Sequence, residues 1–317
     1  GQIVALERLR GRLASSKLDD SSAFKSAAEA PAARVRFFFA KQGTLRFLSQ
    51  LDLVRVLPRM FRRAGVELAF SRGFSPQPRM SFGPALALGS GADEEVVDVD
   101  LLLPRAAEAL AGLLDEHERA AIARELLERL QPVAPPGLVL IDARVTTPNE
   151  MTLGELIAGA DFAAELDELS PAQRGALAER IAGLRSGELS ITREQRVKVK
   201  RKGRRSDKGS KSVTIDLGER LVSTAVDVER GLLRFRLRSD LEGPSARPRE
   251  VVELLVGHAI DDHRIRRERL LTRDEQGALV GLRERGPVWR PLHRHHGGGA
   301  RRAEAEAEVH ELESTPS

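Results

Sequence analysis

The sequence predicts an α+β protein made of two similar halves, each with the element order β, α, β, β, α, β. Short runs of β-branched and aromatic residues alternate with amphipathic stretches of helical period along both halves. At 317 residues the chain is long enough for about two domains of ~150 residues each. The order in each half is that of a ferredoxin-like sandwich, in which helices cover one face of an antiparallel sheet. We therefore expect two tandem ferredoxin-like halves with disordered termini.

The first half is assigned to residues 34–147. The 33 residues before it are rich in alanine, serine and charge, and we expect a linker or a disordered segment there. The predicted elements are strand Arg34–Ala40, a helix from Ser49 to Gly65, strands Val66–Phe70, Arg79–Phe82 and Glu95–Leu103, a helical stretch Pro104–Leu130 interrupted near His117, and strand Leu138–Val145.

The helix after Gly43 has the clearest local signature. Ser49 is a favourable N-cap, and Asp52 stands three residues later, where a carboxylate can accept hydrogen bonds from first-turn amides. Pro58 removes one backbone hydrogen bond, so a kink is expected. At 100° per residue the apolar side chains share one face and the arginines the other: Leu53, Val54, Val56, Leu57, Met60, Phe61 and Ala64 against Arg55, Arg59, Arg62 and Arg63.

The second half, residues 148–272, repeats the order less clearly. The predicted elements are strand Asp161–Leu166, helix Pro171–Leu184 capped by Ser170, strands Leu189–Lys200, Ser212–Leu217, Arg220–Asp227 and Leu232–Arg238, helix Pro248–Val256 and strand Arg264–Leu271. From residue 273 the pattern dissolves, and 273–317 is predicted to be a disordered tail. Three clustered histidines in this tail could bind metal, but their glycine-rich surroundings favour a disordered terminus.

The composition narrows the classes of function. Aromatic residues make up only 4% of the chain, which disfavours broad base-stacking platforms. Cysteine is absent, which excludes thiolate catalysis and iron–sulfur ligation by this sequence. No apolar run approaches the ~20 residues of a membrane span, and no signal peptide is recognised, so we expect a cytoplasmic protein without a membrane partner. Walker, Gly-x-Ser-x-Gly and Gly-x-Gly-x-x-Gly motifs are also missing, and we predict neither a cofactor nor a metal.

A loop rich in proline and arginine, residues 71–79, is the first candidate binding element. Gly73 permits a positive φ, and the prolines at 76 and 78 fix the backbone, so Arg72, Phe74 and Arg79 would be displayed with little entropy left to lose. Two guanidinium groups and a ring suit a phosphate and its base. In the alternative interpretation, the Phe74 ring packs in the core.

Asp52, with Arg46, Ser49 and Arg55 around it, is the second candidate. A cap that forms a local ion pair with Arg55 is the structural interpretation. The functional alternative makes Asp52 a catalytic carboxylate among phosphate-binding arginines. One class of tRNA pseudouridine synthases has two such halves and uses one aspartate, but its Arg-Thr-Asp motif does not occur here.

A dense basic run is the third candidate. Residues 196–211 contain nine cations in sixteen residues, more than solubility requires, and such a run favours binding to a polyanion with release of counterions. It lacks aromatic residues, so contacts to a phosphate backbone are expected rather than base readout. The alternative is a solvated hairpin tip. The cations are Arg196, Lys198, Lys200, Arg201, Lys202, Arg204, Arg205, Lys208 and Lys211.

Two long and unusual strings carry a family resemblance: Leu45-Arg46-Phe47-Leu48-Ser49-Gln50-Leu51-Asp52 and Gly73-Phe74-Ser75-Pro76-Gln77-Pro78-Arg79-Met80-Ser81-Phe82. Weaker similarity continues through 247–251 and the arginine-rich last strand. With these strings, residues 34–272 resemble the radical-SAM-linked proteins, domains of unknown function adjacent or fused to cobalamin-binding radical S-adenosylmethionine (SAM) proteins. Gln50, Ser75 and Gln77 depart from the residues usual in that family, which weakens any catalytic role built on a loop histidine.

The resemblance implies a radical SAM protein as partner. Genes near members of that family often encode ribosomal proteins and ribonucleases, which implies an RNA-related setting. Two hypotheses follow. In the first, the protein is a non-catalytic partner that binds RNA through the basic run and the arginine–proline loop. In the second, it is an RNA-modifying or RNA-cleaving enzyme with Asp52 as its key carboxylate.

Overall fold

The computed structural model describes residues 31–183, 189–199 and 207–288 and shows a mixed α+β protein. The strands are β1 Ala33–Lys41, β2 Met80–Phe82, β3 Gly91–Leu101, β4 Leu138–Val145, β5 Gly159–Glu165, β6 Ser190–Val199, β7 Asp207–Asp216, β8 Leu221–Asp227, β9 Leu232–Arg238, β10 Ile265–Arg273 and β11 Leu279–Gly281. The helices are α1 Gln50–Arg63, α2 Ala106–Leu110, α3 Glu116–Leu130, α4 Leu153–Leu156, α5 Pro171–Ala182, α6 Pro248–Val256 and α7 Leu282–Arg285.

Nine strands form one large sheet, and β6 and β7 form a separate two-stranded sheet. In the first half the order is β4, β1, β3, with β2 on the other edge of β3; in the second it is β10, β5, β9, β8. The halves join where β10 runs parallel to the start of β3, pairing Arg266 with Gly91 and Arg267 with Ala92. The other pairings within the large sheet are antiparallel.

Two hydrophobic clusters hold this sheet. The first packs α1 and α3 on one face of β1 and β3, with Phe37 and Phe61 edge to face at 5.5 Å. The second packs α5 and α6 on β5 and β9, and includes Phe38 and Val96 from the first half. Because the second cluster covers the remaining face of β1, that strand is buried along nearly its whole length.

A buried ion pair fixes the first half to the segment that leaves it. Arg36, 1% exposed, donates to both carboxylate oxygens of Asp98 at 2.8 and 3.0 Å and to Glu150 at 3.0 Å. Burial raises the pKa of Glu150, although the charge of Arg36 opposes that shift. An arrangement that separated Arg36 from Asp98 or Glu150 would leave a buried charge uncompensated. The three side chains therefore favour one way of packing β1 and β3 against the segment that contains Glu150.

Several sequence predictions need correction. Residues 66–70 form only the isolated bridges Leu68 to Leu101 and Phe70 to Pro78, because β2 occupies the adjacent edge of β3. β3 also begins four residues earlier than expected. The segment 273–288, assigned to the tail, contains β11 and α7, since β11 is held by pairing with β10 rather than by its own pattern. Residues 1–30, 289–317 and the tail histidines lie outside the described residues.

Within the described ranges, no helix is both long enough and apolar enough to cross a membrane.

Candidate functional site

The two ends of the basic run lie in paired strands of a β-hairpin. β6 and β7 are paired over ten positions, from Ser190 opposite Asp216 to Val199 opposite Asp207, a ribbon of about 33 Å at ~3.3 Å per residue. Arg196, Lys198, Lys208 and Lys211 stand in the strands, and Lys211 is exposed. The five remaining cations lie outside the described residues: Lys200, Arg201, Lys202, Arg204 and Arg205.

The base of the hairpin is anchored in the second hydrophobic cluster. Ile191 and Ile215 are buried there. Arg193 donates through Nη1 to both oxygens of Glu250 in α6, at 3.0 and 2.9 Å, and through Nη2 to the Ser245 carbonyl. This ion pair is mostly shielded from solvent. The two strands that contain the ends of the basic run are therefore fixed to the domain at their base.

The arginine–proline loop presents Phe74 to solvent. Phe74 is fully exposed, at 110% of its reference area, so the structure excludes the core interpretation of this ring. Gly73 has φ +131°, and the Gln77 carbonyl accepts a 2.8 Å bond from the Ser71 amide, which closes the loop. Arg72 is exposed and makes no ion pair with any described residue.

Arg79 differs from Arg72. Its Nη2 lies 2.5 Å from Asp100, a carboxylate that is 8% exposed and also contacts Arg34. Arg79 is thus occupied by an internal ion pair, and with respect to the described residues the loop displays one unpaired guanidinium rather than two.

Asp52 caps α1. Its Oδ2 accepts hydrogen bonds from the Ser49 amide at 2.9 Å and the Ser49 hydroxyl at 2.6 Å, while the Asp52 amide donates back to Ser49 Oγ. These bonds, the side-chain one foremost, lower the pKa of Asp52. Arg55 Nη1 is 4.0 Å from Asp52 and mostly exposed. The predicted cap is confirmed, and the carboxylate is engaged by it.

Arg46 lies on the short 3-10 turn Gly43–Phe47, and its contacts are at the junction of the halves. Its carbonyl accepts from the Gly89 amide at 3.0 Å, and its Nη1 reaches the His263 carbonyl at 3.4 Å. Its guanidinium also lies 5.2 Å from the centre of the Phe47 ring. The structure therefore assigns Arg46 to the junction and Ser49 to the cap.

A cavity of about 660 Å³ lies at the same junction. One wall is the face of β5, β9 and β10, with Phe162, Leu237 and Leu270. The opposite walls are the loop from Pro84 to Ala87, which continues the second family string, and the start of α6. The two halves thus build this space together.

Arg267 of β10 is the buried charge of the cavity. It is 3% exposed, and its Nη1 donates to Glu95 at 2.7 Å and to the Pro84 carbonyl at 2.9 Å. Its Nε is buried without a hydrogen-bond partner among the described residues. Burial raises the pKa of Glu95 and lowers that of Lys41, the neighbouring cation.

The sequence did not reveal this cavity. Arg267 was visible only as one arginine in an arginine-rich strand, where it stands between Arg266 and Glu268. A buried arginine in such a strand is a signal of an internal ion pair, but its partner Glu95 stands 172 positions away. No pattern in one sequence pairs such distant positions.

In the described part of the chain, no three histidine, cysteine or acidic side chains are arranged to hold a metal ion.

The fold and these features define an α+β protein with an anchored cationic hairpin and a cavity between its halves. Residues 34–242, about two thirds of the chain, match the family described as "Uncharacterized protein conserved in bacteria (DUF2344)", and the chain belongs to that family. Among curated proteins, none matches the sequence.

Proposed function

We propose that this protein is a non-catalytic RNA-binding partner of a radical SAM enzyme. The observation that supports the RNA contact is the hairpin of β6 and β7, whose strands contain both ends of the basic run and whose base is anchored to the core. A cationic surface that gains by releasing counterions from phosphates favours a polyanion.

The register of the hairpin adds to this argument. Lys198 stands directly opposite Lys208 in the ladder. The ladder therefore places two lysines of the basic run at one register position, and such a concentration of cations in the sequence favours a polyanion. The arrangement suits the backbone of an RNA strand, with little recognition of base edges.

The arginine–proline loop supplies a second contact of a different kind. Phe74 and Arg72 are exposed and lack partners in the described residues, so neither must give up an internal interaction to bind. A rigid exposed ring stacks on an unpaired base, and a guanidinium pairs with its phosphate.

The radical SAM partner rests on the resemblance of the two sequence strings. A sequence without cysteine cannot supply the thiolates of an iron–sulfur cluster, so in this proposal the cluster lies on the other protein. We also propose that the two halves are ferredoxin-like repeats. The strand order supports that assignment: with β6, β7 and β11 left out, each half has its strands in the order fourth, first, third, second.

The proposal is tested with fluorescence anisotropy on a labelled single-stranded RNA over a series of salt concentrations. A variant with five serines replaces the cations of the hairpin end: Lys200, Arg201, Lys202, Arg204 and Arg205. We expect weaker binding and a slope of log affinity against log salt that flattens by about 0.7 for each lost phosphate contact. An unchanged slope would remove the hairpin from the binding surface.

A matched control separates a local contact from general charge. The control variant replaces five exposed arginines elsewhere by serine and changes the net charge equally: Arg59, Arg62, Arg63, Arg124 and Arg230. This control variant should retain most of the RNA affinity and most of the slope of log affinity against log salt. Equal losses in both variants would show non-specific attraction and count against the hairpin.

The enzyme hypothesis, with Asp52 as catalytic carboxylate, is tested directly. Purified protein is incubated with total cellular RNA, and strand breaks and modified nucleosides are measured by mass spectrometry. The proposal expects no product. If the wild-type protein forms a product and a folded Asp52→Asn variant does not, the protein is an enzyme and the non-catalytic role is wrong.

A further inference from the structure

The cavity between the halves has the dimensions of a ligand site. Its volume of about 660 Å³ falls in the ~300–1,000 Å³ range of small-molecule sites. Apolar side chains, among them Phe162 and Leu270, form one wall, and polar groups converge from α6 and β10. Such a combination favours a ligand with a ring and a charged end.

Arg267 supplies donors at the apolar wall. Its guanidinium carbon is 5.7 Å from the centre of the Phe162 ring. The only hydrogen bonds it makes to described residues use Nη1, and its buried Nε has no partner. A buried donor without an acceptor is unfavourable, so an acceptor on a ligand would stabilise this side chain.

The start of α6 supplies positive charge at the other side. This nine-residue helix opens with Pro248, and the Glu250 carboxylate already accepts a 3.1 Å hydrogen bond from the amide of the N-cap residue Arg247. A helix N-terminus favours anions, phosphate above all. Arg247, with a side chain 70% exposed, lines the cavity. The acidic residues of the lining are already paired: Glu250 with Arg193, and both Glu253 and Asp262 with Arg249.

We propose that this cavity binds an organic phosphate of nucleotide size. Its phosphate is held by the start of α6 and Arg247, and its base lies on the Phe162 wall, where Arg267 donates to a ring or sugar acceptor. Two sources share this chemistry: a free nucleotide, or an unpaired nucleotide of bound RNA. The second source rests on the proposed function, because Arg193 at the hairpin base bonds to two residues of the cavity, Glu250 and Ser245.

Isothermal titration calorimetry of the full chain with AMP, GMP, CMP and UMP tests the site. At least one should bind saturably, at one molecule per chain. Ala85→Trp fills the cavity from an exposed position and should weaken that binding at least about tenfold. Ala121→Trp, exposed on α3 away from the cavity, is the control. Absence of binding by all four nucleotides, or unchanged binding to Ala85→Trp, would overturn the proposal.

A second pair of variants tests the phosphate contact. Arg247→Ser should weaken nucleotide binding by about three- to tenfold. Arg230→Ser is the matched control, because Arg230 is 73% exposed and has an acidic neighbour at a similar distance, Asp227 at 3.9 Å against Glu250 at 3.7 Å. Equal weakening by both variants would show a general charge effect and contradict the site.

The source of the phosphate is distinguished with single-stranded RNA. If Ala85→Trp also lowers RNA affinity, the occupant is an unpaired nucleotide of the RNA. If RNA affinity is unchanged while nucleotide binding is lost, the occupant is a free nucleotide. Loss of RNA binding in the hairpin variant leaves the nucleotide titration unaffected, so failure of the proposed function and failure of this site give different results.

Discussion

The residues of the arginine–proline loop differ in exposure and partners, although they are neighbours in the sequence and were predicted to act together. Phe74 and Arg72 face solvent, whereas Arg79 neutralises Asp100. We expect Phe74→Ala to leave the unfolding free energy within about 0.5 kcal/mol of wild type, because no core contact is lost. The same change should weaken RNA binding by about 1–3 kcal/mol, the usual value of a stacked base. Urea unfolding and RNA anisotropy measure the two effects.

Arg72→Ala should likewise weaken RNA binding while leaving the unfolding free energy nearly unchanged. Arg79→Ala is the comparison variant and should lose less RNA affinity than Arg72→Ala. A large loss of stability in Phe74→Ala with intact binding would contradict the display of this ring.

Asp52 belongs to the capping box of α1, and we propose that its carboxylate contributes to helix stability rather than to chemistry. Asp52→Asn removes the charged acceptor of the capping box and should lower the unfolding free energy. RNA affinity should remain at the wild-type value. Chemical denaturation and anisotropy on the same preparation check both statements. A variant that is as stable as wild type but has lost RNA binding would show that the carboxylate touches the ligand.

At the scale of elements, the ion pair of Arg193 with Glu250 helps the buried Ile191 and Ile215 to fix the hairpin on the domain. Arg193→Ser removes both bonds to Glu250, so the hairpin should open more often without unfolding the domain. We expect faster amide hydrogen exchange in β6 and β7, with little change in β1 and β3. Thr192→Ala, which removes a hydroxyl contact to Thr214 inside the hairpin, should have a smaller effect. Uniformly faster exchange across all strands would show that the pair stabilises the whole domain.

Across the whole molecule, an ionic cluster links β5, β9 and β10. Asp161 accepts bonds from Arg236 at 2.7 and 3.0 Å and from Arg269 at 2.8 Å. Burial opposes ionisation, but these bonds outweigh it and hold the pKa of Asp161 below its ordinary 3.8. Below pH 3.8 the unfolded chain therefore binds more protons at Asp161 than the folded chain does. The stabilisation that ionised Asp161 provides is fully present above pH 3.8 and is lost as the pH falls through the lower pKa of the folded protein.

Asp161→Asn should accordingly cost about 1.5–3 kcal/mol at neutral pH, where two arginines lose a charged acceptor. The difference from wild type should shrink as the pH is lowered below 3.8. Urea unfolding at a series of pH values measures it. Asp167→Asn, which changes an exposed carboxylate outside the cluster, is the control and should cost little stability at neutral pH. A difference that stays constant with pH would mean that the ionised form is not the source of stability.

Much of the order of helices and strands could be predicted from the sequence, but the way in which the two halves pack together could not. The bounds of β4, β9 and α6 agree with the pattern, because alternation, capping and proline act within a few residues. The capping role of Asp52 was predictable for the same reason. The cavity was not, because it requires β10 to pair with β3, and positions 91 and 266 share no local signal. The exposure of Phe74 also depends on packing, which left two interpretations open.

The central claim is that the hairpin holds RNA, and cross-linking maps that contact directly. The purified full chain is mixed with RNA labelled with 4-thiouridine, irradiated and digested, and cross-linked peptides are identified by mass spectrometry. The account predicts cross-links within 190–216 that disappear in the variant with five serines, and further cross-links at Phe74. Cross-links that avoid the hairpin, or that persist in that variant, would contradict it.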